Sequence, residues 1–207
     1  MDTAAPGPGR RERNKRDKLV RITRAARELF HAQGFEGTTT AQIARRAAIA
    51  EGTVFRYVAR KEDLLILAFA EEMTEVVMAA FEGVDPGASF IDQLLSFFEA
   101  LLAYHLSDPA LAKAFLREVG FFRDPQQDYG FGRIPMMPSL GKIVDRARAR
   151  GEIGGDFESG DIAMLAFAAY WFCLRDWANE VIDAARFVDR LRLMLTMQVA
   201  GIRAAAD

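Results

Sequence analysis

Between Thr38 and Leu64 the chain reads TTTAQIARRAAIAEGTVFRYVARKEDL, and this stretch constrains the fold more than any other. Small and apolar residues recur at helical spacing on either side of a tight turn, so two short helices must cross closely. The second helix carries a polar and aromatic face. Such a pair is the form of a helix-turn-helix reader, whose second helix enters the DNA major groove. A helical hairpin without a DNA contact is the plain alternative.

Charge separates this head from the rest. Residues 1–61 hold 14 Lys and Arg against 6 acids, a net of +8, whereas residues 62–207 hold 13 against 23, a net of −10. A basic head attracts polyphosphate without reading sequence, and an acidic body is repelled from the same duplex. Many charges of the body are those of ordinary solvated helix faces.

Around the head the pattern is helical throughout. Residues 1–14, rich in Pro, Gly and Arg, are expected to be a disordered basic arm, either touching a groove or without a role. From Asp17, the residues Ile22, Ala25, Ala26, Leu29 and Phe30 fall on one face, and Gly34 closes the helix. Thr39 with Gln42 forms a capping box for the next helix. A third helix is expected over Glu51 to Val58 and a fourth over Glu62 to Phe81. Helices at about 89–106, 109–122, 139–150, 159–180 and 183–203 follow. They are separated by GVDPGA, Asp108-Pro109, a loop from Asp124 to Pro138, and GEIGGD. The expectation is an all-α protein of about nine helices: an N-terminal three-helix DNA-binding domain (15–61), then a helical effector-binding and dimerisation domain (62–207).

Other classes find little support. The single cysteine, Cys173, lies in an apolar run and reads as a buried small residue. His31 and His105 are the only histidines, and neither has a partner at metal or triad spacing, so no metal, cofactor or catalytic site is expected. GFGR at 130–133 lacks the strand and helix of a phosphate loop. No apolar run follows the N-terminal charges and none reaches about 20 residues, so a cytoplasmic protein without a membrane partner is expected.

Within the head, Ala44, Ala47 and Ala48 provide the close crossing, with Ile49 beneath the turn. Thr53, Arg56, Tyr57 and Lys61 provide the outward groups, and Gly52 lets the backbone approach DNA. Thr38, Thr39 and Thr40 stand at a helix N-terminus, a ready phosphate clamp.

Gly34, Phe35, Thr38, Thr39, Ile43, Ala44, Ala47, Gly52, Thr53, Val54, Tyr57, Lys61, Glu62 and Leu64 occur at the spacing of TetR-family repressors, and residues 17–65 resemble that family's DNA-binding domain. The resemblance implies DNA contacts from Thr39, Thr40, Gln42, Arg45, Glu51, Gly52, Thr53, Phe55, Arg56, Tyr57 and Lys61, with Lys61 on a phosphate. It implies a homodimer on a palindromic operator of double-stranded DNA, released by a small effector. Four positions depart from the pattern: Ala48 stands for the turn glycine, Ala50 for the cap serine, Phe55 for a tyrosine and Arg60 for a small polar cap. The missing cap oxygen is worth about 1 kcal/mol.

The body is expected to dimerise through its last two helices, by Ile162, Leu165, Ala169, Phe172, Leu191, Met194, Leu195 and Gln198, unless these faces pack within one chain. Aromatics crowd its middle. Phe97, Tyr104, His105, Phe115, Phe121, Phe122, Tyr170 and Trp171 are expected around a cavity for an apolar or aromatic effector, though any one of them also fits a core. His105, Arg117, Arg123 and Arg175 are its candidate polar contacts. A ligand-responsive repressor is the reading these features favour. The alternative is a helical small-molecule-binding protein or enzyme whose head no longer reads DNA, a reading towards which Ala48, Ala50 and Phe55 lean.

Overall fold

The structure, a computed structural model, describes residues 9–120, 134–154 and 157–204. Nine α-helices and no strand occur among them, as the patterning predicts. The head opens with α1 (Arg10–Gln33), α2 (Thr40–Arg46) and α3 (Glu51–Val54).

Helix α1 begins at Arg10, so the expected disordered arm is too long: its last five residues are helical. The run RRERNK consists mostly of strong helix formers, and Arg13 and Lys15 face water. The remainder of the arm, residues 1–8, lies outside the described residues. Gly34 ends the helix at φ 76° and ψ 165°, a conformation closed to residues with a Cβ, while its N–H donates to the Phe30 carbonyl. The capping box of α2 forms as expected: Thr39 accepts from the Gln42 N–H, and the Gln42 side chain accepts from the Thr39 N–H at 2.8 Å.

Helix α3 stops at Val54, four residues short of expectation. Beyond it the coil tightens, with Arg56 N–H donating to Thr53 and Tyr57 N–H to Val54, at 3.1 and 2.9 Å. Ala50 has no side-chain oxygen to hold the start of the helix. The buried Val54 and Val58 draw its end inward.

Helix α4 (Lys61–Glu82) joins the two halves. Its first turn is fixed by Asp63, only 2% exposed, whose carboxylate accepts the N–H groups of Ala59 and Arg60 at 2.9 Å each. Its apolar face packs on α1 and continues into the body, so Ile22, Phe30, Leu65, Phe69 and Val77 share one core with Phe98 and Leu101.

The body comprises α5 (Phe90–Ser107), α6 (Pro109–Gly120), α7 (Met136–Ala149), α8 (Ser159–Ala178) and α9 (Ala184–Ala204). Helix α7 starts three residues earlier than predicted. Pro138 sits in its first turn, where a missing N–H costs nothing. Residues 121–133, which hold most of the expected loop, are outside the described set.

Helices α8 and α9 pack on each other within the chain. Ile162, Ala169, Leu191 and Leu195, expected at a dimer interface, are buried in that packing instead. Both helices carry apolar residues on two faces, and periodicity alone does not say which face turns inward. Leu165 and Phe172 do point outward, about half exposed, as do the unpredicted Leu193 and Met197. Met194 and Gln198 lie between, and the Gln198 amide donates to the Leu165 carbonyl at 3.2 Å. Cys173 is buried, as expected.

Candidate nucleic-acid interface and ligand cavity

The turn of the head is held from behind. The Arg21 guanidinium donates to the carbonyls of Ala47 and Ala48, the latter at 2.9 Å, and so pins the turn to α1. Ala48 adopts a left-handed backbone at φ 52°, where a glycine would be unstrained. Thr40 Oγ1 donates to Glu51 Oε1 at 3.0 Å, which ties the start of α2 to the start of α3.

With that frame set, the expected contact residues separate. Thr39, Arg45, Glu51, Gly52, Phe55 and Arg56 are exposed. Phe55 is the unusual one, an aromatic ring half open to solvent. Thr40, Gln42, Thr53 and Tyr57 are half-buried. The Gln42 carbonyl oxygen is engaged by Gln33 Nε2 at 3.0 Å as well as by Thr39. Lys61 is half-buried too: its ammonium lies 4.1 Å from the Phe35 ring centroid and donates to the Phe35 carbonyl at 2.9 Å. Thr38 belongs to the interior. It is 1% exposed and its hydroxyl donates to the Gly34 carbonyl at 2.8 Å, so a phosphate clamp cannot include it.

Part of the positive charge of the head is spent internally. Arg46 Nε donates to Glu28 at 2.7 Å, and that bond holds the Glu28 carboxyl below its ordinary range. Arg45 and Arg56 make no ion pair among the described residues.

The body contains a cavity of about 390 Å3 between α4, α5, α6, α7 and α8. Four expected residues line it: His105, Phe115, Tyr170 and Trp171. Two do not. Phe97 is fully buried in the core beside Phe98, and Tyr104 turns towards α1 and α4 instead. Phe121, Phe122 and Arg123 fall outside the described residues, and Arg117 and Arg175 are exposed and absent from the lining. Sequence reasoning missed much of the wall, including Met73, Leu116, Met164, Phe167 and Leu174. Met164, Phe167, Tyr170, Trp171 and Leu174 recur at three- and four-residue steps along α8, a stripe that was available to find.

The wall is apolar, and its polar atoms are isolated. His105 is 3% exposed, and burial lowers its pKa from 6.5 to about 4, so it is neutral at pH 7. Burial also raises the Tyr170 phenol well above its ordinary range.

A polar junction joins the cavity region to the head. Glu72 of α4 accepts from the Tyr104 hydroxyl and lies 2.9 Å from His31 Nε2 and 3.7 Å from Arg27 Nε, both on α1. His31 Nδ1 is 3.6 Å from the Asp108 carboxylate. Burial, then the bond to Glu72, raises the Tyr104 phenol, which therefore remains a donor. Phe69 meets Tyr104 edge-on with centroids 5.4 Å apart and stacks on Phe115 of the cavity wall at 3.8 Å.

No group of three or more metal-ligating side chains occurs among the described residues, and no helix there is long and apolar enough to cross a membrane.

Residues 22–68 match the family of bacterial regulatory proteins described as tetR family. The chain is 35% identical over 96 residues to the HTH-type transcriptional regulator TcmR of Streptomyces glaucescens, a stretch spanning 46% of this chain and 42% of that regulator. It is 26% identical over 179 residues to the HTH-type transcriptional regulator UidR of Escherichia coli, covering 85% of this chain and 90% of the relative. In fold it is similar to FadR of Thermus thermophilus, a TetR-family transcriptional repressor solved with lauroyl-CoA. That likeness has a TM-score of 0.66 at 23% identity, over 89% of this chain and 94% of that one.

Proposed function

We propose that this chain, whose residues 22–68 match the tetR family of bacterial regulatory proteins, is a ligand-responsive transcriptional repressor binding a palindromic operator as a homodimer. One observation carries the reading. A single helix, α4, starts at the outward-facing basic head and contributes Met73, midway along it, to the wall of a largely apolar cavity.

On DNA, Arg56 and Arg45 are the free cations of the reading face, and Arg can pair bidentately with guanine. Phe55 offers a half-exposed ring suited to a thymine methyl. The Gln42 oxygen is engaged within the chain, so its NH2 is the group it presents. Lys61 meets phosphate with the donors left after its bond to Phe35.

The dimer forms through the outer faces of α8 and α9, by Leu165, Phe172, Leu193 and Met197, each between 46% and 66% exposed in the single chain. Exposed side chains of that size, gathered on two adjacent helices, favour a partner helix pair. A ligand filling the cavity would displace Phe115 and Phe69, and through them Tyr104 and the Glu72 junction that fixes α1. The heads then move apart, so ligand and operator oppose each other through one equilibrium.

The test is selection of bound duplexes from a random pool, followed by affinity measurements at several salt concentrations. A palindromic site is expected, with affinity falling steeply with salt. Arg56→Ala should weaken the selected site by about 1–3 kcal/mol and relax specificity at one base position. Absence of any selected duplex at low salt would turn the reading to a ligand-binding protein whose head is silent.

A further inference from the structure

His105 and Tyr170 both line the body cavity, at 3% and 2% exposed, and neither His105 Nδ1 nor Tyr170 Oη meets a hydrogen-bonding group among the described residues. A folded protein seldom leaves such atoms bare, and each one calls for an explanation. Neither side chain is free to turn away and find a partner. The His105 ring lies parallel to Phe69 with centroids 5.8 Å apart, and the Tyr170 ring lies parallel to Phe98 at 4.7 Å. Around them the described wall is hydrocarbon, thioether and indole: Leu116, Val119, Met136, Phe167, Trp171 and Leu174 among others.

Resting on the reading of this cavity as the effector site, we propose that its ligand is an uncharged, largely apolar molecule whose hydroxyl or keto oxygen bonds Tyr170 Oη, His105 Nδ1 or both. A hydroxyl suits these atoms best, since it can accept from the phenol and donate to a bare imidazole nitrogen at once. A carbonyl can accept from the phenol. A carboxylate or phosphate is disfavoured, because an anion in an apolar cavity requires a counter-charge. The imidazole cannot supply it at neutral pH, since burial keeps it uncharged down to about pH 4. The volume of about 390 Å3 holds on the order of a dozen non-hydrogen atoms at about 30 Å3 each.

The experiment uses the full chain and four probes that share a ten-carbon chain, decan-1-ol, decan-2-one, decanoate and decanoyl-CoA, with 1-chlorodecane as a filler that lacks the oxygen. Calorimetry at pH 7.5 gives affinities, and displacement from the selected operator gives the regulatory effect. The alcohol and ketone are expected to bind at least tenfold more tightly than the two anions. Tyr170→Phe and His105→Leu should each weaken the alcohol several-fold to tenfold and leave 1-chlorodecane unchanged. If decanoate or decanoyl-CoA binds as tightly as the alcohol, the inference falls while the cavity remains an effector site. It falls equally if both variants keep the affinity for the alcohol, since water then serves the two atoms. Tyr170-dependent binding of the alcohol without release of operator would uphold the ligand class and overturn the repressor reading instead.

Discussion

The head and the body handle their polar groups in opposite ways. In the head, Arg45 and Arg56 stand exposed and without an ion pair among the described residues, while the groups behind them are bonded within the chain: Thr38 to Gly34, Arg21 to the turn, Asp63 to the start of α4. In the body, buried polar atoms without a partner among the described residues include His105 Nδ1 and Tyr170 Oη in the cavity wall, and α8 and α9 carry large apolar side chains on their outer faces. A surface that meets a hydrated polyanion can leave its cations in water until the partner arrives. A cavity that meets an apolar molecule has to keep its few polar atoms dry beforehand. On the proposed function, the difference teaches where each partner's chemistry would be stored: at the surface for DNA, in the core for a small ligand.

The largest expected consequence is in stability against pH. The unfolded histidine titrates near 6.5 and the buried one near 4, so between these values the unfolded chain binds a proton that the native chain refuses. The contribution of His105 is complete above about pH 6.5 and is lost as pH falls towards 4, by roughly 3 kcal/mol in all. Chemical denaturation of wild type and His105→Leu at pH 7.5 and 4.5 measures it, and the variant should lose less stability between the two. Equal losses would mean that His105 is not held dry, and the contrast between a wet head and a dry body would break at its centre.

Next in size is the link between the two. Glu72→Gln keeps the shape of the junction but removes the charge that faces His31 and Arg27. Operator affinity and ligand affinity should each survive, whereas the factor by which ligand weakens operator binding should fall by about 1–2 kcal/mol of coupling. Titration of the operator with and without ligand reads this directly. Unchanged coupling would mean that the head responds through packing along α4 alone.

The two halves also differed in how far the sequence disclosed them. The head was legible because its signals are local. Thr39 and Gln42 are three residues apart, and the alanines of the crossing lie within one short window. What stayed hidden there required distant partners: Arg21 reaching Ala47 across 26 residues, or Lys61 reaching the Phe35 carbonyl across the same separation. The cavity depended almost wholly on such pairings. Tyr104 and His105 are neighbours in sequence, yet a helical step of about 100° sends one to the junction and the other to the cavity. Nothing in the local pattern says which. The same ambiguity buried Ile162 and Leu191 while leaving Phe172 outside.

The smallest prediction probes the rigidity of the head. Ala48 holds a left-handed backbone at φ 52°, costing about 1 kcal/mol relative to a residue free of Cβ crowding. Ala48→Gly removes that strain but loosens the unfolded chain, which returns part of the gain. The net should be a stabilisation of up to about 1 kcal/mol, or roughly 2–4 °C in melting temperature for a chain of this size. Since the two bonds from Arg21 already fix the carbonyls of the turn, operator affinity should change little. A gain in stability with a large loss of affinity would show that the strained turn itself positions α3. The head would then store information in its backbone as the body does in its core, and the contrast between them would narrow to the side chains alone.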